Sequence, residues 1–384
     1  MPARRAAFAT AVALAAVVGL VGSAWADRDS GPPDPRRKHS GALKVRLGGY
    51  IQPQIRLRQN SPAPFDEDGF RLRRARLTAS ASRDFPGLEL HVKMEAELTP
   101  EFQLMDAYAG ARGDLVAGGA WQVDFGQVKA PFSRQTLLSD AVLQLPEKAQ
   151  LTSLASDRQL GARFIVNLPA VPQVEISGGM FNGEGRNQIE NIDQKFLYVG
   201  RLAFRPIGWD APMIESGFGP DQLSFAVSAG RNVSDLGSYD QTITLLGADA
   251  FFSMYGVSGT VEYLWRKTDI SSDVSPDFES QGLNVQAGYL LPIPGFERML
   301  EVAGRYEEFD LRYPNADFPI LGPGDENQAT RSIIGAISYY YREHDVKAQL
   351  SVAKNIEVEK LDRSGGDATY RNDTVLLQVT VRMR

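Results

Sequence analysis

The sequence predicts an all-β chain, a 16-stranded antiparallel transmembrane β-barrel, on three observations. Segments of roughly 9–13 residues alternate apolar and polar side chains from residue 43 to the last residue, which puts the two faces of each strand in different surroundings. The connections between these segments fall into a short and a long class that alternate along the chain. Beyond the N-terminal stretch no run approaches about 18 consecutive apolar residues, although 43% of the chain is hydrophobic, so a membrane would be crossed by strands.

From the N-terminus, MPARRAAFATAVALAAVVGLVGSAWA opens with Arg4 and Arg5, continues with an apolar stretch and ends on small residues at Ala24 and Ala26. That order describes a secretory signal peptide over 1–26, cleaved after Ala26; a retained single-span helix is the alternative. Residues 27–42, DRDSGPPDPRRKHSGA, are polar and rich in Pro and Gly, and predict a flexible periplasmic leader. The barrel domain is then expected over 43–384. The chain has no cysteine, so an exported protein of this sequence must hold together without disulfides. Removing residues 1–26 takes two of the 41 Lys and Arg against 47 Asp and Glu, which leaves a net charge of −8 and argues against nucleic-acid partners.

The first strand, 43–58, reads LKVRLGGYIQPQIRLR: Leu43, Val45, Leu47, Ile51, Ile55 and Leu57 share one face, and Lys44, Arg46, Tyr50, Gln52, Gln54, Arg56 and Arg58 the other. Strands follow over 70–81, 88–98, 102–112, 120–129, 159–167, 174–183, 195–205, 222–233, 242–253, 257–268, 281–291, 299–309, 329–341, 346–356 and 374–384. Turns such as 82–87, 169–173, 255–256 and 342–345 are short; 59–69, 184–193, 270–280, 311–328 and 357–373 are long and polar. An even strand count returns both termini to the periplasm. Two connections break the pattern: 99–101 is short on the long side, and 206–221 is long on the short side. Trp121, Phe125, Phe196, Tyr198, Phe204, Phe252, Tyr263, Trp265 and Tyr289 fall on the outward faces, as interfacial girdles require.

One connection exceeds the rest. Residues 131–158 form the third long-side loop, and a loop of this length is usually functional or locally folded. Leu137, Leu138, Ala141, Val142 and Leu145 have helical spacing, ended by Pro146, so the sequence predicts an amphipathic helix or hairpin there. Folded into the barrel with its apolar face on the wall, it would narrow a channel, with Pro131, Phe132 and Ser133 at its start; an extracellular cap or a trimer contact is the other reading.

FGQVKAPFSRQTLLSD at 125–140, FNGEG at 181–185, YVGRLAFRP at 198–206 and FRLRRARL at 70–77 together resemble the phosphate-selective porin O and P family of outer-membrane proteins. The resemblance runs in order from about residue 43 to the C-terminus, and the K-x-P-F-S stretch is its most specific piece. It implies a 16-stranded barrel with an infolded third extracellular loop, a homotrimer, and an anion-preferring pore with phosphate or polyphosphate as the favoured cargo. Two features depart from the family pattern: the chain ends in Met383-Arg384 rather than an aromatic residue, and its charge balance is acidic.

Local charge along a narrow lumen, not net charge, sets pore selectivity. Residues 44–76 carry Lys44, Arg46, Arg56, Arg58, Arg71, Arg73, Arg74 and Arg76 against Asp66, Glu67 and Asp68, a local excess of five positive charges. Parity aims Lys44, Arg46, Arg56, Arg58, Arg74 and Arg76 inward as an anion pathway, and places Arg71 and Arg73 outward, at the rim against lipopolysaccharide phosphates. Lys129 and Arg134 flank the long loop and would add positive charge to the constriction. Arg163, Arg201, Arg205, Arg305 and Lys347 also have inward parity, as do Glu89, Glu95, Glu97, Asp106, Asp124, Glu175, Glu262 and Glu301, so pairing within the lumen competes with anion binding. The expected partners are small anions, outer-membrane lipid and lipopolysaccharide.

The alternatives are a general-diffusion porin without phosphate preference, a barrel enzyme and an adhesin. The three histidines, His39, His91 and His344, come with neither G-x-S-x-G nor H-E-x-x-H, so no catalytic residues, metal or cofactor are expected. Acidic loop residues at Asp66–Asp68 and Asp325–Glu326 lack the regular spacing of a calcium loop.

Overall fold

The structure is a computed structural model that describes residues 41–58, 68–116, 118–235, 237, 239–271, 277–311, 328–357 and 373–383. The stretch expected to be a signal peptide, nearly all of the expected leader, Arg384 and most of the long polar loops lie outside the described residues. Among the described residues, sixteen strands close into one antiparallel barrel in which every strand pairs with its sequence neighbours and the first pairs with the last. They are β1 (Leu43–Arg58), β2 (Gly69–Phe85), β3 (Leu88–Glu97), β4 (Gln103–Leu115), β5 (Gly119–Lys129), β6 (Arg158–Asn167), β7 (Val174–Phe181) and β8 (Leu197–Ile207). The second half comprises β9 (Gln222–Asp235), β10 (Asp240–Met254), β11 (Val257–Ile270), β12 (Phe278–Leu290), β13 (Leu300–Leu311), β14 (Gln328–Arg342), β15 (Val346–Glu357) and β16 (Thr374–Met383). Closure runs from Gly49 opposite Met383 to Arg58 opposite Thr374 and leaves no open sheet edge.

The alternation has the physical origin that its period implies. On β1, Ile51 is 48% exposed while Gln52 and Gln54 are buried; on β8, Tyr198 is 55% exposed and Arg201 is buried. The apolar face therefore points out around the whole barrel, through Leu77, Phe125, Phe204, Val261, Ile333, Val352 and Leu377, and only a bilayer covers such a surface favourably. No helix among the described residues is long and apolar enough to cross a membrane. The polar face points inward.

β2 departs from simple parity at one residue. Opposite β1, Gln52 faces Arg74 and Pro53 faces Leu72, so Arg73 is an extra residue, a β-bulge. A bulge reverses the parity on one side of it. Arg71, opposite the inward Gln54, therefore joins Arg74 and Arg76 on the inner face, while Phe70, Leu72 and Leu77 stay outside. The outward, rim-facing placement of Arg71 and Arg73 expected from parity is corrected by this bulge.

Candidate functional site

The interior is occupied by residues 130–157, the connection between β5 and β6. This segment is a chain of short turns; of the two forms expected from the apolar spacing, amphipathic helix or hairpin, it is not a continuous helix. It comprises one helical turn, α1 (Arg134–Leu137), and 3₁₀ turns over Asp140–Val142 and Gln150–Leu154. Two serines break it up: the Ser133 hydroxyl accepts from the Thr136 N–H (3.3 Å) and the Ser139 hydroxyl from the Ala141 N–H (3.4 Å), each starting a new turn. Leu138 and Leu143 are extended, with ψ near 147° and 145°. The spaced leucines mark a buried face without marking a helix.

One face of the segment packs on the wall formed by β7–β15. Phe132, 1% exposed, sits with Ala149, Leu151 and Leu154 against Phe181, Leu197, Leu245, Leu264 and Phe309. Its carbonyl accepts from Arg201 Nη1 (2.9 Å) and Ser228 Oγ (2.7 Å). The Gln144 side-chain amide donates to Ser258 Oγ (2.9 Å) and Glu301 Oε1 (2.7 Å), and the Gln144 backbone carbonyl accepts from Gln349 Nε2 (2.7 Å). Lys347 donates to the Leu143 carbonyl (2.5 Å), and Arg305 to the Glu147 carbonyl (2.9 Å). Wall glycines make this approach possible: a Cβ at Gly288 would stand 1.9 Å from Gln144 Nε2, and one at Gly282 2.5 Å from Leu151 Cβ.

The other face carries charge toward β1 and β2. Glu147 accepts from Arg73 Nε (2.6 Å) and Arg74 Nη2 (3.0 Å), and Arg71 Nη2 lies 3.6 Å away. Asp140 meets Arg76 Nη1 at 2.8 Å, Arg74 Nη2 at 3.5 Å and Lys148 Nζ at 3.8 Å. Arg76 also pairs with Glu97 (2.7 Å) and Glu95 (3.2 Å) on β3. Burial alone would raise the Asp140 carboxyl, but Lys148, Arg74 and Arg76 together hold it well below the usual carboxylate range. Burial likewise opposes ionisation of Glu147, and Arg74 and Arg73 override it. Lys148 donates to the carbonyls of Leu138 (3.0 Å) and Thr136 (3.4 Å), and burial lowers its ammonium although Asp140 pulls the other way.

The expected site residues divide clearly. Arg74 and Arg76 meet the segment's carboxylates, joined by Arg71 and Arg73. Lys44 pairs with Asp84 at 2.5 Å, so the excess charge of β1 is partly balanced by β2. Arg46 and Arg56 both make further interactions, and the backbone N–H of Arg58 donates to Asp68 (2.5 Å). Lys129 donates to the carbonyls of Leu137 (2.9 Å) and Leu138 (2.8 Å), and so ties β5 to the segment. Arg134 is 3% exposed; it donates to the Ile214 carbonyl (2.9 Å) and lies 4.0 Å from the centre of the Phe251 ring. Burial pushes the Arg134 guanidinium down to about 10, against the pull of Asp249 and Glu215. Arg134 therefore fastens the segment, which corrects its expected place along an anion path. Pro131, Phe132 and Ser133 are likewise buried anchors, not a free constricting edge.

Several inward cations pair as the lumen carboxylates allow: Arg163 with Asp124 (2.6 Å), Arg201 with Asp249 (2.6 Å), Arg205 with Glu175 (2.9 Å) and Arg305 with Glu307 (3.1 Å). His91 Nε2 lies 2.8 Å from Asp124 and belongs to this wall network. Residues the sequence reading did not single out are Asp140, Gln144, Glu147 and Lys148, whose one signal was polarity within an otherwise apolar stretch, LLSDAVLQLPEK, and Glu215, whose one signal was its place in the over-long connection 206–221.

The connection between β8 and β9, long for its end of the barrel, also enters the interior. Ile214, Glu215, Ser216 and Phe218 are all buried. Ile214 and Phe218 pack with Leu138, Val142 and Leu143 of the segment and with Leu290 and Tyr340 of the wall. Ser216 Oγ lies 2.6 Å from His344 Nε2, and Arg298 donates to the Gly217 carbonyl (3.0 Å). Among the described residues two pieces thus enter the lumen, one from each end.

A closed barrel with an apolar outer belt and an infolded charged segment is the setting for the comparisons. The profile of the family described as phosphate-selective porin O and P matches residues 45–380. The chain has no match among curated proteins. Its fold is similar to that of an anion-selective porin from Comamonas acidovorans, at 13% identity over 89% of this chain and 100% of that one, with a TM-score of 0.65. It is similar also to the outer membrane channel DcaP of Acinetobacter baumannii, at 14% identity over 90% and 99% of the chains and a TM-score of 0.59. OmpT of Vibrio cholerae in its trimer form matches at 10% identity over 89% and 100%, with a TM-score of 0.59. At these identities the likeness is one of fold, whereas the profile spans nearly the whole described barrel. The chain belongs to the phosphate-selective porin O and P family and is an outer-membrane porin.

Proposed function

We propose that the protein conducts small anions passively across the outer membrane, with phosphate or polyphosphate as the preferred cargo, along a path lined by the β2 arginines. The observation that carries this reading is the imbalance at the segment's charged face. Arg71, Arg73, Arg74, Arg76 and Lys148 gather there with Asp140, Glu147, Glu95 and Glu97, five basic side chains with four carboxylates. Arginine forks offer rigid donors that a phosphate oxygen can take up from a carboxylate. An arginine already shared with Glu147 binds an anion by exchange rather than by capture, and conduction requires such release. The family match and the resemblance in fold to an anion-selective porin support the same cargo class. A homotrimer is part of this proposal, supported by the trimer form of a porin of similar fold.

A general-diffusion porin is the second reading, favoured by the number of lumen arginines already paired with carboxylates. The test is competition: chloride current through the purified protein in a planar bilayer, with phosphate titrated in. The proposal expects chloride current to fall saturably as phosphate rises. Chloride current that changes only with ionic strength would favour the general pore.

A further inference from the structure

Connections at the short-turn end of the barrel need only a few residues, yet residues 208–221 form an extended turn whose middle enters the lumen. Part of what it inserts is apolar filler, and Ser216 is taken up by His344. Ile214 and Phe218 close the space under Leu138 and Leu143, and a Cβ at Gly217 would come 2.5 Å from the Gly256 carbonyl oxygen, so the turn is wedged against the neighbouring turn's backbone. The inserted charge is Glu215, a carboxylate only 1% exposed. A buried carboxylate is costly unless strong donors satisfy it.

The donors to Glu215 come from two separated points of the infolded segment and from the wall. Oε1 accepts from the Gln135 side-chain amide; Oε2 accepts from the Gln144 backbone N–H (3.1 Å) and from Gln286 Nε2 (3.4 Å) on β12. Gln135 and Gln144 bracket Asp140, the carboxylate that takes Arg76 and Lys148 on the opposite face. The neighbouring Ile214 carbonyl adds a hold on Arg134 (2.9 Å). We propose that Glu215 is a positioning residue of the channel, a clamp from the short-turn end that fixes the two points on either side of Asp140 and so sets where the charged face stands. This rests on the protein's being a conducting porin and is independent of its anion preference.

The experiment compares single-channel recordings of the full-length purified protein with those of Glu215→Ala, Glu215→Gln, Gln135→Ala and the Gln135→Ala/Glu215→Ala pair, each checked for a folded barrel by heat-modifiable gel mobility. Hydrogen bonds to a charged acceptor are the strong kind, so in Glu215→Ala the fraction of time spent in noisy or subconductance states should rise about tenfold or more. Glu215→Gln keeps one acceptor oxygen and should fall between. The double variant should be no noisier than Glu215→Ala, because both changes act on one contact. A folded Glu215→Ala channel as quiet as the parent would overturn the proposal. So would effects of the two single changes that simply add. Should Glu215→Ala fail to fold, Glu215→Gln decides by the same trace, and failure of both would make the contact an assembly requirement instead of a positioning one. A parent protein that conducts steadily but without anion preference would contradict only the preceding section; one that does not conduct would end both readings.

Discussion

Residues 132–154 touch two walls, and the two hold them by different means. Against β7–β15 the segment buries Phe132, Leu151 and Leu154 among wall side chains, over glycines that leave no slack, and its carbonyls receive fixed donors from Arg201, Lys347, Gln349 and Arg305. Against β1 and β2 it offers two carboxylates to four arginines, and Glu147 and Arg73 each stay about one-third exposed. Packing of the first kind tolerates little displacement, since dispersion and burial fall off within an ångström. The Glu147–Arg73 pair, near water, can exchange partners at small cost, whereas Asp140, Arg74 and Arg76 are buried behind it. The difference separates a packed anchor from a charged face: one wall sets where the segment stands, and the other, under the proposed function, would set what passes beside it.

Changes on the anchored side should act on stability. Phe132→Ala removes the centre of the apolar cluster and should cost about 3–5 kcal/mol, read as a lower midpoint for loss of the compact barrel form in denaturant. Equal stability of this variant and the parent would show that the segment is not anchored by packing. Changes on the charged side should act on selectivity with a smaller effect on stability. Glu147→Gln leaves Arg71, Arg73 and Arg74 without their shared carboxylate; it should cost about 1–3 kcal/mol and shift the zero-current potential further toward anions. Arg74→Ala should shift that potential the opposite way, and a common direction for the two would break the comparison.

Acid should reach the same face. The folded carboxyls of Asp140 and Glu147 lie below their ordinary values of 3.8 and 4.5, so their contribution is fully present above the ordinary values and disappears as pH falls below about 4 toward the folded ones. Stability measured from pH 7 to pH 5 should therefore stay flat so far as these two groups act, and decline only at lower pH. A decline centred near pH 6 would point to another group. The smallest effect belongs to Lys44→Ala, whose pair with Asp84 is about one-third exposed on the lysine side; within about 1 kcal/mol nothing should change.

The strands were legible because two solvents force period two on every one of them. The reading of 43–58 matches Leu43–Arg58, and 257–268 lies within Val257–Ile270. The same rule misplaced Arg71 and Arg73, because parity assumes an unbroken ladder and the bulge at Arg73 is set by pairing with β1. The adjacent Arg73 and Arg74 were the available hint, since an unbroken strand would have put one of them in lipid. Helical spacing over 137–145 misled for a related reason: leucines recur because one side of the segment lies on a wall, and the serine-capped turns present that side without a helix. The charge excess read from residues 44–76 was real, but it is compensated by Asp84, Glu95 and Glu97 on the neighbouring strands and by Asp140 and Glu147, whose proximity only the folded barrel creates. The over-long 206–221 stood out as an exception to the loop pattern, and its length is what lets Glu215 reach the lumen.

The central claim, that the charged face of the infolded segment favours anions, is tested most directly by the zero-current potential of the purified protein in a planar bilayer under a potassium chloride gradient. The account predicts a potential of anion sign that grows in Glu147→Gln and shrinks in Arg74→Ala. A potential near zero or of cation sign, unmoved by either substitution, would contradict it and leave a general pore whose arginines serve only to brace the wall.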